Sequence, residues 1–169
     1  VAALKWIDYQ GDGQIFDAVE SVLYANMMDF DITNNAWHIW GDDSEALRDA
    51  ISISEALFVA VAGNSGVDLD LYPDYPASFD LDNILVVAAT DYDDNLVDVP
   101  GWWGSNYGFT TVDVAAPGLD IFSTMPNNSY DYLSGTSMAA PHVAGIASLV
   151  LSKNSNLHLF NFLFVFLVF

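Results

Sequence analysis

Residues 134–145 read SGTSMAAPHVAG and place Ser137 immediately before a helical pattern. Small residues recur through this segment and predict a helix that packs closely against its neighbours. Pro141 suits the first turn of such a helix, where its missing N–H has no partner to lose. The free N–H groups at a helix N-terminus favour negative charge, which suits a serine whose attack creates an oxyanion. Ser137 is therefore a candidate nucleophile.

His142 follows Ser137 by five residues. Five residues along an α-helix end about 140° around the axis from the start, so the imidazole should point away from the hydroxyl. We interpret His142 as a packing residue and not as the base that activates Ser137.

A second motif, VAGNSG, occupies residues 61–66, where an apolar strand ends in glycine and then Asn64. An amide at the carboxyl end of a parallel strand can donate a hydrogen bond into a crevice, as an oxyanion hole requires. Gly-Asn after a strand is also common in ordinary turns, so this motif alone leaves both interpretations open.

Strand and helix patterns alternate along the chain. This order predicts a parallel sheet with helices on its faces, because parallel strands need a long crossover between them. The predicted strands are 2–9, 32–37, 58–62, 84–90, 112–115 and 121–124, and the predicted helices are 15–28, 44–57 with Ser44 as N-cap, and the segment after Ser137. Two predicted loops, an acidic one at 63–83 and another at 91–110, interrupt this series of strands and helices. The length of the chain suits one compact domain.

The 169 residues carry 23 acidic side chains against three basic ones, for a net charge of −20. Such a charge excludes a nucleic-acid partner. There is no cysteine, and hence no disulfide framework. The acidic loop could be a solvated surface or could offer oxygen ligands to a structural calcium ion; without a glycine-punctuated ligand loop, we favour the former and assign no metal site. The aspartates concerned are Asp68, Asp70, Asp74, Asp80 and Asp82.

The final segment, 157–169, reads LHLFNFLFVFLVF and breaks with the preceding composition. It falls short of the roughly 20 residues that a membrane span needs. An aberrant or truncated end, a buried strand and the start of a membrane anchor are the three interpretations, of which we prefer the first. We therefore place the domain at 1–152 and the hydrophobic tail at 153–169.

Together the motifs resemble those of the subtilisin-like serine proteases. The resemblance extends from near the start of the chain to about residue 152. The matching segments are GTSMAAPHVAG at 135–145, VAGNSG at 61–66, TVDVAAPG at 111–118, SNYG at 105–108, YPAS at 75–78 and ITNNAW at 32–37.

The resemblance implies a three-layer α/β subtilisin-like fold, incomplete at the N-terminus, in a secreted, monomeric serine endopeptidase. Peptides or proteins would be its substrates, and catalysis would need no cofactor. Ser137 would be the nucleophile and Asn64 the side-chain oxyanion donor. Ala62 and Gly63 would line one wall of the pocket for the substrate side chain. The segment Asn35, Ala36, Trp37 and His38 would pair with the substrate backbone, and Tyr75-Pro76 would be a cis peptide.

Two features depart from the family. Residues 36–39 read AWHI, where the family usually has serine, an apolar residue and two glycines. The family's catalytic Asp and His precede the strand that matches 2–9, so we expect this chain to lack both and to be inactive alone. His38 is a weak candidate for a substitute base, because no group that would orient it is evident. The alternative is a non-catalytic acidic module that binds peptides or calcium.

Overall fold

The computed structural model describes residues 1–39 and 43–154. Its centre is a four-stranded, all-parallel sheet in the order β1-β2-β3-β6. The elements are α1 (Ile15–Met27), β1 (Ile32–Asn35), α2 (Glu45–Ser52), β2 (Leu57–Val61), β3 (Ile84–Thr90), β4 (Asp98–Val99), β5 (Trp103–Gly104), β6 (Val114–Pro117), β7 (Ile121–Met125), β8 (Ser129–Leu133) and α3 (Thr136–Lys153). The predicted α/β fold with a parallel sheet is confirmed.

The central strands are buried on both faces, and the alternation of their side chains builds two cores. Phe58 and Ala60 of β2 pack with α1 and α2, whereas Leu57, Val59 and Val61 face α3. The predicted three layers are therefore two helices, the sheet and a third helix. Every residue of β2 and β3 is buried, and their sequences are accordingly apolar, with Thr90 at the end of β3 as the exception.

The predicted strand at 2–9 is wrong. In the part of the chain that the structure describes, no strand pairs with this segment. Instead Trp6 packs its ring edge-on against Trp37, with centroids 4.9 Å apart. The carboxylate of Asp8 accepts hydrogen bonds from the N–H groups of Gln10 and Asp12, which closes a turn.

Several element boundaries also differ from the predicted ones. Helix α2 begins as predicted, with the Ser44 hydroxyl accepting from the N–H of Leu47. It ends at Ser52, earlier than predicted. Leu57, which was predicted to end the helix, is instead the first residue of β2 and pairs with Ile32 of β1. Loop 91–110 contains the short antiparallel pair β4–β5, and β7 pairs with β8 as a hairpin.

Pro141 does not lie in the first turn of α3, contrary to the prediction. The helix begins at Thr136, so Pro141 is inside it and cannot donate to the carbonyl of Ser137. Within the described residues, no helix is both long and apolar enough to cross a membrane. Most of the predicted hydrophobic tail, residues 155–169, lies outside them.

Replacing Gly145 by alanine should stabilise the chain by about 0.5–1 kcal/mol, since glycine is the poorer helix former by that amount. Gly145 lies inside α3, and a Cβ built on it meets no atom within 4 Å. Chemical denaturation of the two proteins measures the difference. A destabilised Gly145→Ala variant would contradict the open surroundings of this position.

Candidate active site

Ser137 is the second residue of α3 and lies where the helix meets the carboxyl ends of the parallel strands. Its side chain is half-buried. Neither its hydroxyl nor its backbone N–H hydrogen-bonds to any residue that the structure describes. Gly135 precedes the helix with a φ of 150°, and a Cβ there would lie 3.3 Å from Nδ2 of Asn64. The turn thus brings the serine close to the predicted oxyanion donor.

Thr136 joins the two motifs through a buried hydrogen-bond network. Its side chain is fully buried and its Oγ1 accepts from the N–H of Gly63, at 3.2 Å. The Thr136 N–H and hydroxyl both donate to Oδ1 of Asn64, at 2.9 and 3.1 Å. The carboxamide of Asn64 is therefore fixed by its oxygen.

The fixed carboxamide leaves Nδ2 of Asn64 available as a donor. Asn64 is exposed, and its Nδ2 donates to no described residue. The N–H of Ser137 is the second available donor, one residue beyond the N–H that bonds Asn64. The two segments thus supply two donors without a described partner, the kind of group that stabilises a carbonyl oxyanion.

Asn106 holds the loop that carries Asn64. It is 1% exposed, and its Oδ1 accepts from the N–H groups of Ser65 and Val67, at 2.9 and 3.1 Å. Its Nδ2 donates to the carbonyl of Ala62 at 2.8 Å. A Cβ at Gly63 would lie 2.5 Å from the same Nδ2, and Gly63 has a φ of 101°. Glycine is therefore required beside Asn64.

The six residues predicted to contact substrate are not equivalent. Asn35 is buried, and its Nδ2 donates to the carbonyl and hydroxyl of Thr33. Trp37 packs against Trp6 and Phe58. These two side chains therefore support the core.

The other four lie nearer to Asn64 or to solvent. Ala62 and Gly63 are buried and lead directly to Asn64. Ala36 is exposed and His38 is half-buried, at 32% exposure of its side chain.

His38 has the orienting group that the sequence did not reveal. Its Nδ1 lies 2.8 Å from Oδ2 of Asp74, which is 36 residues away in the chain. The hydrogen bond to Asp74 raises the pKa of His38 above 6.5, although partial burial opposes this shift. No hydrogen bond between His38 and Ser137 is present.

His142 is exposed, so the prediction of a packing role is wrong. Its Nδ1 lies 2.8 Å from the carbonyl oxygen of Met138, one turn earlier in α3. The imidazole of His142 thus bonds to its own helix.

The acidic loop uses Asp70 to hold residues 109–111. Its carboxylate accepts from the N–H groups of Phe109, Thr110 and Thr111 and from both threonine hydroxyls. These bonds, that of the Thr111 hydroxyl foremost, lower the pKa of Asp70 to about 2. No cluster of three or more potential metal-ligating side chains is found across 1–39 and 43–154. A structural calcium ion stays the less favoured of the two interpretations of the acidic loop.

A parallel α/β sheet with a helix-terminal serine and a fixed carboxamide at one edge is an arrangement typical of α/β serine hydrolases. The model of the subtilase family, Peptidase S8, matches residues 1–160. The chain belongs to the subtilase family, and the predicted family is confirmed.

Relatives and a solved structure agree with this assignment. A thermophilic serine proteinase of Bacillus sp. (strain AK1) is 37% identical over 161 residues, which cover 92% of this chain and 37% of that protein. Thermitase of Thermoactinomyces vulgaris is 48% identical over 98 residues, or 58% of this chain and 31% of thermitase. A cold-adapted subtilisin-like serine proteinase aligns with a TM-score of 0.81 at 29% identity, over 94% of this chain and 56% of that one. The chain thus spans about half or less of the length of these proteins.

Proposed function

We propose that this chain is the nucleophile-bearing part of a secreted subtilisin-like serine endopeptidase. Ser137 Oγ attacks the carbonyl carbon of a peptide bond, and the carbonyl oxygen becomes an oxyanion. The amine then leaves with a proton, and water releases the acyl group from the serine. Subtilases are serine endopeptidases, and peptide or protein substrates follow from that class.

One observation carries the proposal: Thr136 binds Oδ1 of Asn64 through both its N–H and its hydroxyl. This contact occupies Oδ1 of Asn64 and leaves Nδ2, which would lie 3.3 Å from a Cβ on Gly135, as the free donor of the carboxamide. Asn64 Nδ2 and the N–H of Ser137 would stabilise the oxyanion.

We further propose that the base for Ser137 comes from outside the described residues. The two described histidines are engaged with Asp74 and with the Met138 carbonyl. A groove of about 1340 Å³ runs beside the edge strand β1 and is bordered by Pro141, one turn from Ser137. Since the relatives are longer than this chain, the groove offers room for an additional segment that carries the base.

A fluorophosphonate probe tests both parts of the proposal. Ser137 attacks phosphorus and fluoride leaves, so the adduct can be located by peptide mass spectrometry. We expect slow labelling that is selective for Ser137 over Ser65 and Ser134, and that is absent in Ser137→Ala. The rate should be orders of magnitude below that of thermitase, because losing such a base costs about 10⁶ in kcat, a value measured on subtilisin itself.

The two parts fail in different ways. Adducts spread evenly over the serines would contradict the assignment of Ser137 as nucleophile. Labelling of Ser137 as fast as in thermitase would contradict the absence of an activating base.

A further inference from the structure

The turn between β7 and β8 carries the triplet Asn127-Asn128-Ser129. It is the one place in the sequence where serine or threonine stands two residues after an asparagine. Such a triplet is the acceptor signal for N-linked sugar in exported proteins, and it is used on surface loops. A three-residue motif is weak evidence by itself, so its place in the structure decides whether it can serve as an acceptor.

The structure presents this triplet at the end of a hairpin. Residues 126–128 form the turn beyond the last ladder pair, Met125–Ser129. All three residues of the triplet are exposed. Among the described residues, none hydrogen-bonds to the side chain of Asn127. A transferring enzyme can therefore reach the amide nitrogen of Asn127 without breaking a contact of the fold.

The two asparagines of the turn differ in only one respect. Asn127 has a φ of 64° and Asn128 a φ of 57°, in the left-handed region that asparagine tolerates better than most residues. The turn backbone thus accounts for both asparagines equally. Only Asn127 has a hydroxyl residue two positions later, Ser129, whose Oγ donates to the carbonyl of Pro126 at 2.9 Å. Asn128 is therefore a matched control for Asn127.

The same hairpin has an exposed aromatic face made of Phe122, Tyr130 and Tyr132. Phe122 stacks on Tyr130 with ring centroids 5.6 Å apart, and its centroid is 4.9 Å from that of Tyr132. The three residues are 59%, 62% and 62% exposed. Tyr130 is one ladder pair from the turn, and the other two are about 7 Å further along the hairpin. Exposed apolar rings grouped on one face are typical of a binding surface.

We infer that Asn127 is a site of N-linked glycosylation, and that the attached sugar packs on the aromatic face of Phe122, Tyr130 and Tyr132. The inference goes beyond the proposed function and shares with it only the export of the chain from the cell. One face of a pyranose ring presents C–H groups, which aromatic rings shield from water. Attachment to the same hairpin makes this contact intramolecular, so it needs no intrinsic affinity for free sugar.

The transfer reaction requires a lipid-linked oligosaccharide diphosphate as the second substrate of a transferase. Nδ2 of Asn127 forms a bond to the anomeric carbon of the sugar and gives one proton to a base of the transferase. The bond between that carbon and the diphosphate oxygen breaks, and the lipid diphosphate leaves with the electron pair. No oxidant or reductant is involved.

Translation of the full chain behind a secretory signal peptide, with microsomal membranes, tests the acceptor site. We expect one glycan, seen as a slower gel band that an endoglycosidase reverses. Asn127→Gly and Ser129→Ala should abolish the band and Asn128→Gly should keep it, since glycine suits a positive φ at either position. A wild-type chain that loses its signal peptide but gains no glycan overturns the inference. A glycan that survives Asn127→Gly overturns it too.

Urea denaturation tests the contact with the aromatic face. Chain secreted by yeast and trimmed to a single N-acetylglucosamine is compared with the same chain made without glycan in bacteria. We expect the glycosylated form to unfold at a higher urea concentration. The difference should vanish in Tyr130→Thr, which keeps a good strand former, and persist in Tyr92→Thr, an exposed tyrosine of another loop.

The two measurements fail separately. No difference between the forms, or an equal difference in Tyr130→Thr, overturns the packing of the sugar on this face and leaves the acceptor site. Neither measurement involves the reactivity of Ser137, so their outcome is independent of the labelling that tests the proposed function.

Discussion

Replacing Asn106 by alanine should destabilise the chain by about 4 kcal/mol, because it removes three hydrogen bonds of a buried side chain at once. The N–H groups of Ser65 and Val67 and the carbonyl of Ala62 would each lose a partner. Buried polar groups without a partner cost more than the net value of the bond itself. Urea denaturation followed by circular dichroism measures the change.

Asn95→Ala is the matched control for this prediction. Asn95 is exposed, and its Nδ2 bonds only the neighbouring Asp91, at 3.3 and 3.5 Å. Loss of such a surface amide should change the free energy of unfolding by less than about 0.5 kcal/mol. If the two alanine variants unfold at the same urea concentration, Asn106 does not hold the loop as described.

Patterns that depend on neighbouring residues were the most predictable part of the fold. Strand β3 has the predicted bounds 84–90, since the unbroken apolar run at 84–89, followed by Thr90, makes its pattern unambiguous. Helix α1 and the Ser44 cap of α2 were likewise readable from local spacing. The conformation of segment 2–9 was not predictable in this way. An apolar run does not by itself show whether a neighbouring strand is available to pair with it.

In the candidate site, too, the residues within local motifs were predictable and their distant partners were not. Ser137 and Asn64 stand in motifs specific enough to name, and the structure brings their segments together through Thr136. The residues that support them were missed, although Thr136 and Asn106 lie within quoted motifs. Their partners are 39–73 residues away in the chain, so no local pattern could assign them a role.

The contacts of Asp74 could likewise not be predicted from the sequence. In the sequence it was one aspartate among several in an acidic loop. In the structure its side chain bonds His38 and lies near Gly63, whereas Asp70 in the same loop is occupied by residues 109–111. Two aspartates of the same loop thus hold different segments of the chain, and the local sequence assigns neither of them its partner.

Asn64→Asp should slow fluorophosphonate labelling of Ser137 by about 10²-fold or more, because one oxyanion donor is replaced by a negatively charged acceptor. For comparison, loss of the side-chain donor in subtilisin costs 10²–10³ in kcat, a known value for this family and not one derived from this structure. The change is isosteric. Oδ1 of the new aspartate can still accept from the N–H and hydroxyl of Thr136, so the loop should keep its conformation.

The control for Asn64→Asp is Asn95→Asp, which adds the same charge at an exposed position. Its labelling rate should equal that of the wild-type chain, which separates a local effect on the oxyanion from general repulsion of the probe. Urea denaturation should show that Asn64→Asp is folded, since the Thr136 contacts are retained. If both variants are labelled at the same rate, Nδ2 of Asn64 does not face the atom that Ser137 attacks. The assignment of the oxyanion site would then be wrong even though the two segments are in contact.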